Sequence, residues 1–444
     1  MFKLDQQTLS DLNALDWNSA SLLRFFDSAG TVGGRDMLYE YFRHPLDTVA
    51  EINERQQAIQ YLSGVDALDT VFDKFMLSDL ERYLANTNKL YSDSVFTHYV
   101  DKLATNFWTL RSQQEDLLIR QSIKEIAQIL VRLSSFFAGV KKEKKATGVL
   151  QILADSFYEV VADMQMEELE NIASGKLSAS TRIRYDHLFR SVKQKEIQDI
   201  FRMVYTLDAF RAVGRTLGQS NLCFPSFHRE GDTLIRIDGL YNLALENPVT
   251  NDLVIKKGRN IVFLTGANMT GKSTFLKSVG ACIALAHMGF PVPAKRMDLL
   301  CYSGLITSIN VSDSLASGQS HFLSEVHRVK LVAQEVGQKK RVAVMFDELF
   351  KGTNYDDAFE ATLLLVQRLK SDEESLFFLS THITELTKVL TENKQISFQS
   401  METRTDDDAG VLFTYRLRDG VADQKLGMWL LRREGVFEAF GPAE

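Results

Sequence analysis

The sequence predicts a multidomain protein: a helical first part, followed by an α/β part with a mixed, mostly parallel sheet. Three observations predict this fold class. Proline is absent from Leu46 to Phe224, and that stretch is rich in good helix formers. After Pro225, short apolar runs alternate with helical patterns. One of these runs leads into a glycine-containing loop that opens a helix.

In the first part, apolar residues such as Ile123, Ile126 and Leu130 recur at helical spacing. We therefore expect long helices over roughly residues 8–220. The sequence pattern changes after Pro225 from helical spacing to short apolar runs that alternate with helices, and this change places the domain boundary. Residues 1–228 are expected to form an all-helical domain and residues 229–444 the α/β domain.

The strands of the second part are predicted from runs that alternate or are apolar throughout, as strands covered on both faces are. They are Thr233–Ile237, Asn260–Thr265, Val342–Phe346, Leu376–Ser380 and Leu412–Leu417.

The chain carries 51 Lys and Arg against 58 Asp and Glu, a formal net charge of −7. This mild acidity argues against a protein coated in nucleic acid, although a local basic patch stays open. The N-terminus lacks a signal-peptide pattern, and no apolar run is long enough to cross a membrane. Three cysteines cannot form a disulfide scaffold at this length. We expect a cytoplasmic protein with no membrane partner.

The run Asn260–Thr265 leads into a loop that matches the pattern G-x-x-x-x-G-K-[ST] and precedes a helical pattern, which is the context this motif requires. Its glycines let backbone N–H groups point at phosphate oxygens, and the helix N-terminus favours an anion. Lys272 can neutralise phosphates, and the Ser273 hydroxyl can bind Mg²⁺. The predicted nucleotide-binding residues are Gly266, Ala267, Asn268, Met269, Thr270, Gly271, Lys272, Ser273 and Thr274.

Asp347 and Glu348 end a second apolar run, and His382 follows a third. Ligands gather where the strands of an open α/β sheet end. Asp347 is therefore predicted to bind Mg²⁺ together with Ser273, and Glu348 to orient the attacking water. Glu348, Lys272 and His382 are the predicted catalytic residues. A solvated strand end is the alternative for the acids, and a structural histidine is the alternative for His382.

At these residues the sequence resembles the MutS family of DNA mismatch-repair ATPases, a branch of the ABC-type ATPases. Asn268-Met269 inside the loop is a pair that ordinary phosphate loops lack. Further segments resemble family motifs: Leu315–Glu325, Asp347–Thr353, Thr381–Leu386, Asp419-Gly420 and Leu426-Gly427. Segments such as Leu22–Asp27, Glu54–Gln57 and Leu207–Ala209 resemble the family's helical core.

The resemblance implies an ABC-type ATPase domain, ATP and Mg²⁺ as cofactors, and two nucleotide sites at a dimer interface. Ser320 and Gly318 would then belong to a signature loop that acts in trans on the partner's nucleotide, with Glu325 in the same motif. Ser320 and Glu325 are also ordinary helix-cap and first-turn residues.

Several positions depart from the family. Pro248 stands where an aromatic residue usually stacks on adenine, and Thr270 replaces a loop glycine. Phe350-Lys351 replaces Gly-Arg, and His321 replaces the signature threonine. The core-like pattern begins at Leu22, so we expect no mismatch-reading or connector domain, and a clamp that is reduced or absent.

Three functions remain open. The first is a dimeric ATPase that binds duplex or branched DNA in repair or recombination without reading mismatches. The second is an ATP-driven switch that recruits a protein partner, and the third is a nucleotide-binding scaffold without turnover, which the full set of site residues disfavours.

The densest basic segment is the candidate for DNA contact, and a solvated face neutralised by Asp186 and Glu196 is its alternative. The segment consists of Arg182, Arg184, Arg190, Lys193 and Lys195.

Overall fold

A computed structural model describes residues 2–17, 20–65, 74–86, 110–143, 148–228, 230–309, 321–406, 410–422, 431 and 435–439. The chain forms two compact units that are interleaved in sequence. The sheet unit comprises Met1–Phe25, Tyr41–Asn53 and Leu217–Glu444, and the helical unit comprises Phe26–Glu40 and Glu54–Thr216. The single boundary expected after residue 228 therefore differs from this division at residues 1–25, 41–53 and 217–228.

The described residues of the N-terminal half are mostly helical, as expected, but only Leu110–Lys142 and Gln194–Arg215 are long, with 33 and 22 residues. In the longest of them, α6, the buried side chains Ile119, Ile123, Ile126 and Leu130 follow the helical period, so one face of the helix packs into the core. The helices are α1 (Gln6–Asp11), α2 (Leu22–Phe26), α3 (Val32–Arg43), α4 (Val49–Leu62), α5 (Lys74–Ala85), α6 (Leu110–Lys142), α7 (Gly148–Val161), α8 (Met166–Ala173), α9 (Ala179–His187) and α10 (Gln194–Arg215). A π-helical turn, Leu188–Val192, joins α9 to α10.

The main sheet of the sheet unit has seven strands within the described ranges, in the order β1-β7-β8-β9-β5-β10-β11. All neighbouring strands are parallel except β10 and β11. The strands are β1 (Lys3–Leu4), β5 (Ile261–Thr265), β7 (Gly304–Ser308), β8 (Val342–Asp347), β9 (Leu376–Ser380), β10 (Ile396–Asp406) and β11 (Gly410–Asp419). The prediction of a mixed helix-and-sheet protein with a mostly parallel sheet is confirmed.

The central strands are buried along nearly their whole length. This is why they read as continuous apolar runs. Since β5, β8 and β9 are parallel, the loops that follow them lie at the same edge of the sheet. These loops carry the predicted site residues.

A second sheet, of four strands among the described residues, has the order β2-β6-β3-β4. Its strands are β2 (Ser226–His228), β3 (Thr233–Leu240), β4 (Asn251–Lys256) and β6 (Arg296–Leu300). The remaining helices are α11 (Lys272–His287), α12 (His321–Gly337), α13 (Tyr355–Leu369), α14 (Thr384–Leu390) and α15 (Val436–Ala439). No described helix is both long and apolar enough to cross a membrane.

The N-terminal segment adds an edge strand to the main sheet, which the helical expectation for the first part did not include. β1 pairs with β7, with Lys3 opposite Gly304. The ring of Phe2 stacks on His287, with ring centroids 3.9 Å apart. The carboxylate of Asp5 caps α1 and forms an ion pair with Arg328 of α12. A strand of two residues has no periodicity, so the sequence pattern could not reveal it.

Candidate functional site

The loop between β5 and α11 has backbone conformations that favour glycine at two positions. Gly266 and Gly271 have φ of +144° and +98°, which side-chain-bearing residues rarely adopt. Gly271 is the N-cap of α11, so the first backbone N–H groups of that helix face the loop. Thr270, which replaces a family glycine, does not have positive φ, and its hydroxyl donates to the Ala267 carbonyl at 2.8 Å. A Cβ is therefore accommodated at that position.

Lys272 begins α11, and only 5% of its side chain is exposed. Its ammonium donates to the carbonyls of Gly266 at 2.7 Å and Ala267 at 2.9 Å. Burial lowers the pKa of Lys272, while the nearby carboxylates of Glu348 and Asp347 oppose that shift. A buried ammonium that bonds mainly to carbonyl dipoles of its own loop is well placed for an anionic ligand.

Asp347 ends β8 beside this loop. The Ser273 hydroxyl donates to its Oδ2 atom. The other carboxylate oxygen, Oδ1, is buried and has no hydrogen-bond partner. An unsatisfied carboxylate oxygen next to a serine hydroxyl suits a hard divalent cation, which takes oxygen ligands. Within the described residues, no three His, Cys, Asp or Glu side chains group as metal ligands, so any cation here would take its remaining ligands from water or phosphate.

Glu348 follows Asp347 with φ of +56°, and its N–H donates to the Ser380 carbonyl at 3.0 Å. Its carboxylate lies among three basic side chains. It forms an ion pair with Lys351 and lies 4.0 Å from Lys272 Nζ and 3.9 Å from His382 Nδ1. The structure thus brings Lys272, Glu348 and His382 together. Lys351, noted from the sequence only as a departure from the family, is an addition to the site.

An open cleft of about 690 Å³ lies over the loop. Six of the predicted nucleotide-binding residues line it, as do Asp347 and Glu348. Gly266, Ala267 and Thr270 lie in the loop but not in the cleft wall. The lining residues are Leu240, Tyr241, Asn242, Leu245, Glu246, Asn247, Pro248, Val249, Asn251, Asn268, Met269, Gly271, Lys272, Ser273, Thr274, Phe275, Ser278, Asp347, Glu348, Lys351, Met401 and Tyr415.

Tyr415 is a wall residue that the sequence reasoning missed. The pairing of β10 with β11 slips between Met401 and Thr403, and Tyr415 lies in that irregular stretch with φ of +55°. Its ring closely approaches the loop, because a Cβ placed on Gly271 would lie 3.1 Å from Tyr415 Cδ1. Asn251 of β4 holds the stretch by donating to the Tyr415 carbonyl. An aromatic residue in a strand gives no sequence signal for such a position.

The predicted signature residues are only partly described. Gly318 and Ser320 lie outside the described residues. Glu325 lies in the first turns of α12, where it is buried, and it does not line the cleft.

Four of the five side chains of the basic segment pair with acids of the helical unit. Arg190 pairs with Asp186, as the alternative interpretation expected. The other pairs use acids that the sequence did not indicate: Arg182 with Asp116 at 2.5 Å, Arg184 with Glu168, and Lys193 with Asp163 at 2.8 Å. Arg182 is buried rather than solvated. These contacts favour the neutralised alternative over a DNA-contacting patch.

The parallel sheet, its glycine loop and the acids at the end of β8 define an α/β protein with a cleft suited to an anionic ligand. Residues 262–438 match the family MutS domain V, and residues 6–214 match the family MutS domain III. The chain belongs to the MutS family.

Three curated relatives show how much of this chain, and how much of their own length, the similarity covers. The chain is 21% identical to the DNA mismatch repair protein MutS of Petrotoga mobilis over 97% of its own length and 63% of the relative's. It is 27% identical to MutS of Lactobacillus acidophilus over 61% of the chain and 33% of the relative. It is 30% identical to MutS of a Synechococcus species over 54% of the chain and 27% of the relative. The chain therefore spans less than two thirds of each of these proteins.

Proposed function

We propose that this protein is a Mg²⁺-dependent ATP hydrolase that acts as an ATP-gated dimer on DNA in repair or recombination. Residues 229–444, with the N-terminal segments of the same compact unit, would form the ATPase part, and the helical unit would be the core and lever. The observation that carries the proposal is Asp347, whose buried, unsatisfied oxygen lies beside the Ser273 hydroxyl at the glycine loop.

The lining of the cleft supports a nucleoside triphosphate because it offers two kinds of contact. The loop N–H groups and Lys272 would bind phosphate oxygens, with the Lys272 ammonium exchanging loop carbonyls for them. Pro248, Val249 and Tyr415 also line the cleft, and the Tyr415 ring lies close to Gly271 of the loop. Tyr415 supplies an aromatic surface for the base where Pro248 cannot.

Ser273 and Asp347 are the residues that would hold Mg²⁺. When bound, the ion neutralises charge on the phosphates. Glu348 would orient the attacking water and accept its proton, while Lys272 and the loop N–H groups stabilise charge on the transferred phosphoryl group. His382 faces the same Glu348 oxygen that pairs with Lys351, so it is placed to restrain that carboxylate.

The first test of the site is Lys272→Ala. We expect it to abolish ATP binding, measured by titration calorimetry, together with turnover. Lys277→Ala on the same helix is the matched control, because Lys277 lies outside the nucleotide cleft, and it should bind ATP like the wild type. Unchanged binding in Lys272→Ala would refute the assignment of the loop.

The proposed dimer rests on Ser320 and Gly318 acting in trans, with Glu325 in the same motif. We expect Glu348→Gln, which retains ATP, to dimerise in saturating Mg-ATP and to be monomeric without it. Light scattering gives the mass in both states. A monomer under both conditions would contradict the trans role.

A second candidate is an ATP-driven switch that recruits a protein partner, such as another repair protein, with little or no DNA binding. The pairing of the basic segment favours it, because four of the five basic side chains already have acidic partners within the helical unit. Steady-state ATP turnover at low salt separates the two candidates. It should be measured without DNA and with matched duplex, single-mismatch duplex and a four-way junction. Stimulation by any DNA supports the first candidate, and indifference to all of them supports the second.

A further inference from the structure

The turn that carries Glu348 has an unusual backbone. Glu348 and Phe350 have φ of +56° and +63°, although neither is glycine. Left-handed backbone is unfavourable for residues with a Cβ, and for a bulky residue such as phenylalanine it is rare. Such a conformation persists only where surrounding contacts fix it. The Glu348 N–H bond to Ser380 is one such contact, and it leaves the conformation of Phe350 to be explained.

The side chain of Phe350 supplies the explanation. The ring is buried in the core beneath the turn and packs against Phe322, with centroids 6.0 Å apart and planes inclined at 57°. The same core contains Phe346 and Leu349 from the strand and the turn, and Val332 from α12. Burying an aromatic ring here offsets the backbone cost, and tilted aromatic pairs add attraction beyond the area that they bury.

A second contact joins the same two places. Gly352 lies so close to the start of α12 that a Cβ on it would meet the Cβ and the N atom of Phe322, each at 3.0 Å. The turn therefore contacts Phe322 at two places. The Phe350 ring packs against the Phe322 ring, and Gly352 lies against the Cβ and N atoms of Phe322. Phe322 is the second residue of α12. In the chain it follows Ser320 and His321, where the proposed trans-acting loop ends.

We infer that Phe350 is a positioning residue that fixes the Glu348 turn to the first turn of α12, so that docking of a second subunit at the start of α12 and hydrolysis at Glu348 are coupled within one chain. The inference rests on the proposed function, because it assigns a consequence to the contact between a hydrolytic turn and a dimerising helix. It names a determinant of the reaction that lies outside the cleft, since Phe350 does not line it.

The test uses Phe350→Gly, which removes the ring and installs the residue that best tolerates left-handed backbone, so added backbone strain cannot explain a loss. We expect single-turnover hydrolysis to slow on the order of tenfold to a hundredfold, as misplacement of a catalytic group does, with ATP affinity retained. Amide hydrogen exchange of residues 322–330 without nucleotide should become faster, because the first turn of α12 loses its support.

Phe350→Leu and Phe322→Leu keep apolar volume at each position and should show smaller changes in the same direction. If Phe350→Gly folds poorly, these two milder variants can be measured in its place. Phe359→Ala is the control, since it removes a ring that packs on the same core from α13. It should leave both hydrolysis and exchange of 322–330 near wild type.

Wild-type hydrolysis in Phe350→Gly would overturn the inference, whether or not exchange changes. A loss of hydrolysis accompanied by an equal loss of ATP affinity, or matched by Phe359→Ala, would also overturn it, since either result would mean general damage to the core. If the wild-type protein does not bind ATP at all, the proposed function fails. The exchange measurement then still decides whether Phe350 supports α12.

Discussion

The cleft of the sheet unit and the basic segment of the helical unit both contain several charged side chains. The two regions differ in how far the fold itself satisfies these charges. In the basic segment, Arg182, Arg190 and Lys193 each have an acidic partner from the same unit. In the cleft, the Lys272 ammonium bonds to loop carbonyls, and Asp347 keeps a buried oxygen without a partner. Charges that a fold already neutralises serve its stability, whereas charges that it leaves incompletely satisfied are available to a ligand.

The largest effect expected from this contrast is in the cleft. Glu348→Gln should lower the rate of ATP hydrolysis about 10²- to 10⁴-fold, because an amide cannot accept a proton from water. ATP binding should be retained, because the proposed phosphate contacts come from Lys272 and the loop N–H groups rather than from Glu348. Single-turnover kinetics and equilibrium binding measure the two quantities. Glu360→Gln, on the exposed side of α13, is the control, and unchanged hydrolysis in Glu348→Gln would remove Glu348 from the reaction.

In the basic segment the expected effect is on stability. Arg190→Ala should lower the free energy of unfolding by about 3–5 kcal/mol, because it leaves the buried carboxylate of Asp186 without its ionic partner. Among the described residues, the Tyr83 hydroxyl, which donates to Asp186 at 2.8 Å, would remain as a hydrogen-bond partner. Urea unfolding measures the change. Exposed Lys195→Ala should stay within about 0.5 kcal/mol of wild type. Unaltered stability combined with weakened DNA binding in Arg190→Ala would mean that this charge serves a ligand rather than the stability of the fold.

His287 is a buried ionisable group that the fold keeps neutral, in contrast to the charged groups of the cleft and the basic segment. Burial lowers the pKa of His287 to about 4 from 6.5. Because the unfolded chain takes up the proton first, the stability from this site is complete above pH 6.5. It is lost as the pH falls from there toward 4, by about 3 kcal/mol in all.

The pH effect is isolated by comparing wild type with His287→Gln in urea unfolding at pH 7 and at about pH 4.5. The variant should be less sensitive to acid than the wild type over that interval. Parallel stability curves for the two proteins would show that His287 does not titrate as its burial requires.

The smallest effect is expected at the surface of the basic segment. Arg184→Ala should change the free energy of unfolding by less than about 1 kcal/mol, because most of the Arg184 side chain is solvent-exposed and water screens its pair with Glu168. Urea unfolding beside Arg190→Ala gives the measurement. Equal losses in the two variants would mean that burial does not decide how much each of these two ion pairs contributes to stability.

Patterns with a period could be predicted from the sequence, and single contacts could not. β9 spans Leu376–Ser380 as predicted, and β8 extends the predicted run by Asp347 alone. β7 was missed, because Gly304–Ser308 ends in Thr and Ser, although all five residues are buried. A strand with buried polar residues does not form a continuous apolar run, so a search for such runs does not find it.

The residues of the glycine loop were found because their order along the chain carries their chemistry. Tyr415 and Lys351 were not, because their place at the cleft depends on an irregular strand pairing and on a left-handed turn. The partners of the basic segment were missed for a related reason. Asp116 and Asp163 are far from Arg182 and Lys193 in the chain, and only tertiary packing brings them together.

The interleaving of the two units has a practical consequence for dissecting this protein. The chain passes from one unit to the other inside α3 and again inside α4, so neither unit is a continuous segment. A fragment that starts at residue 229 would lose the edge strand that pairs with β7 and the Phe2 ring that covers His287. Expressing that half alone would therefore yield an incomplete sheet with a newly exposed edge, which is a site for aggregation.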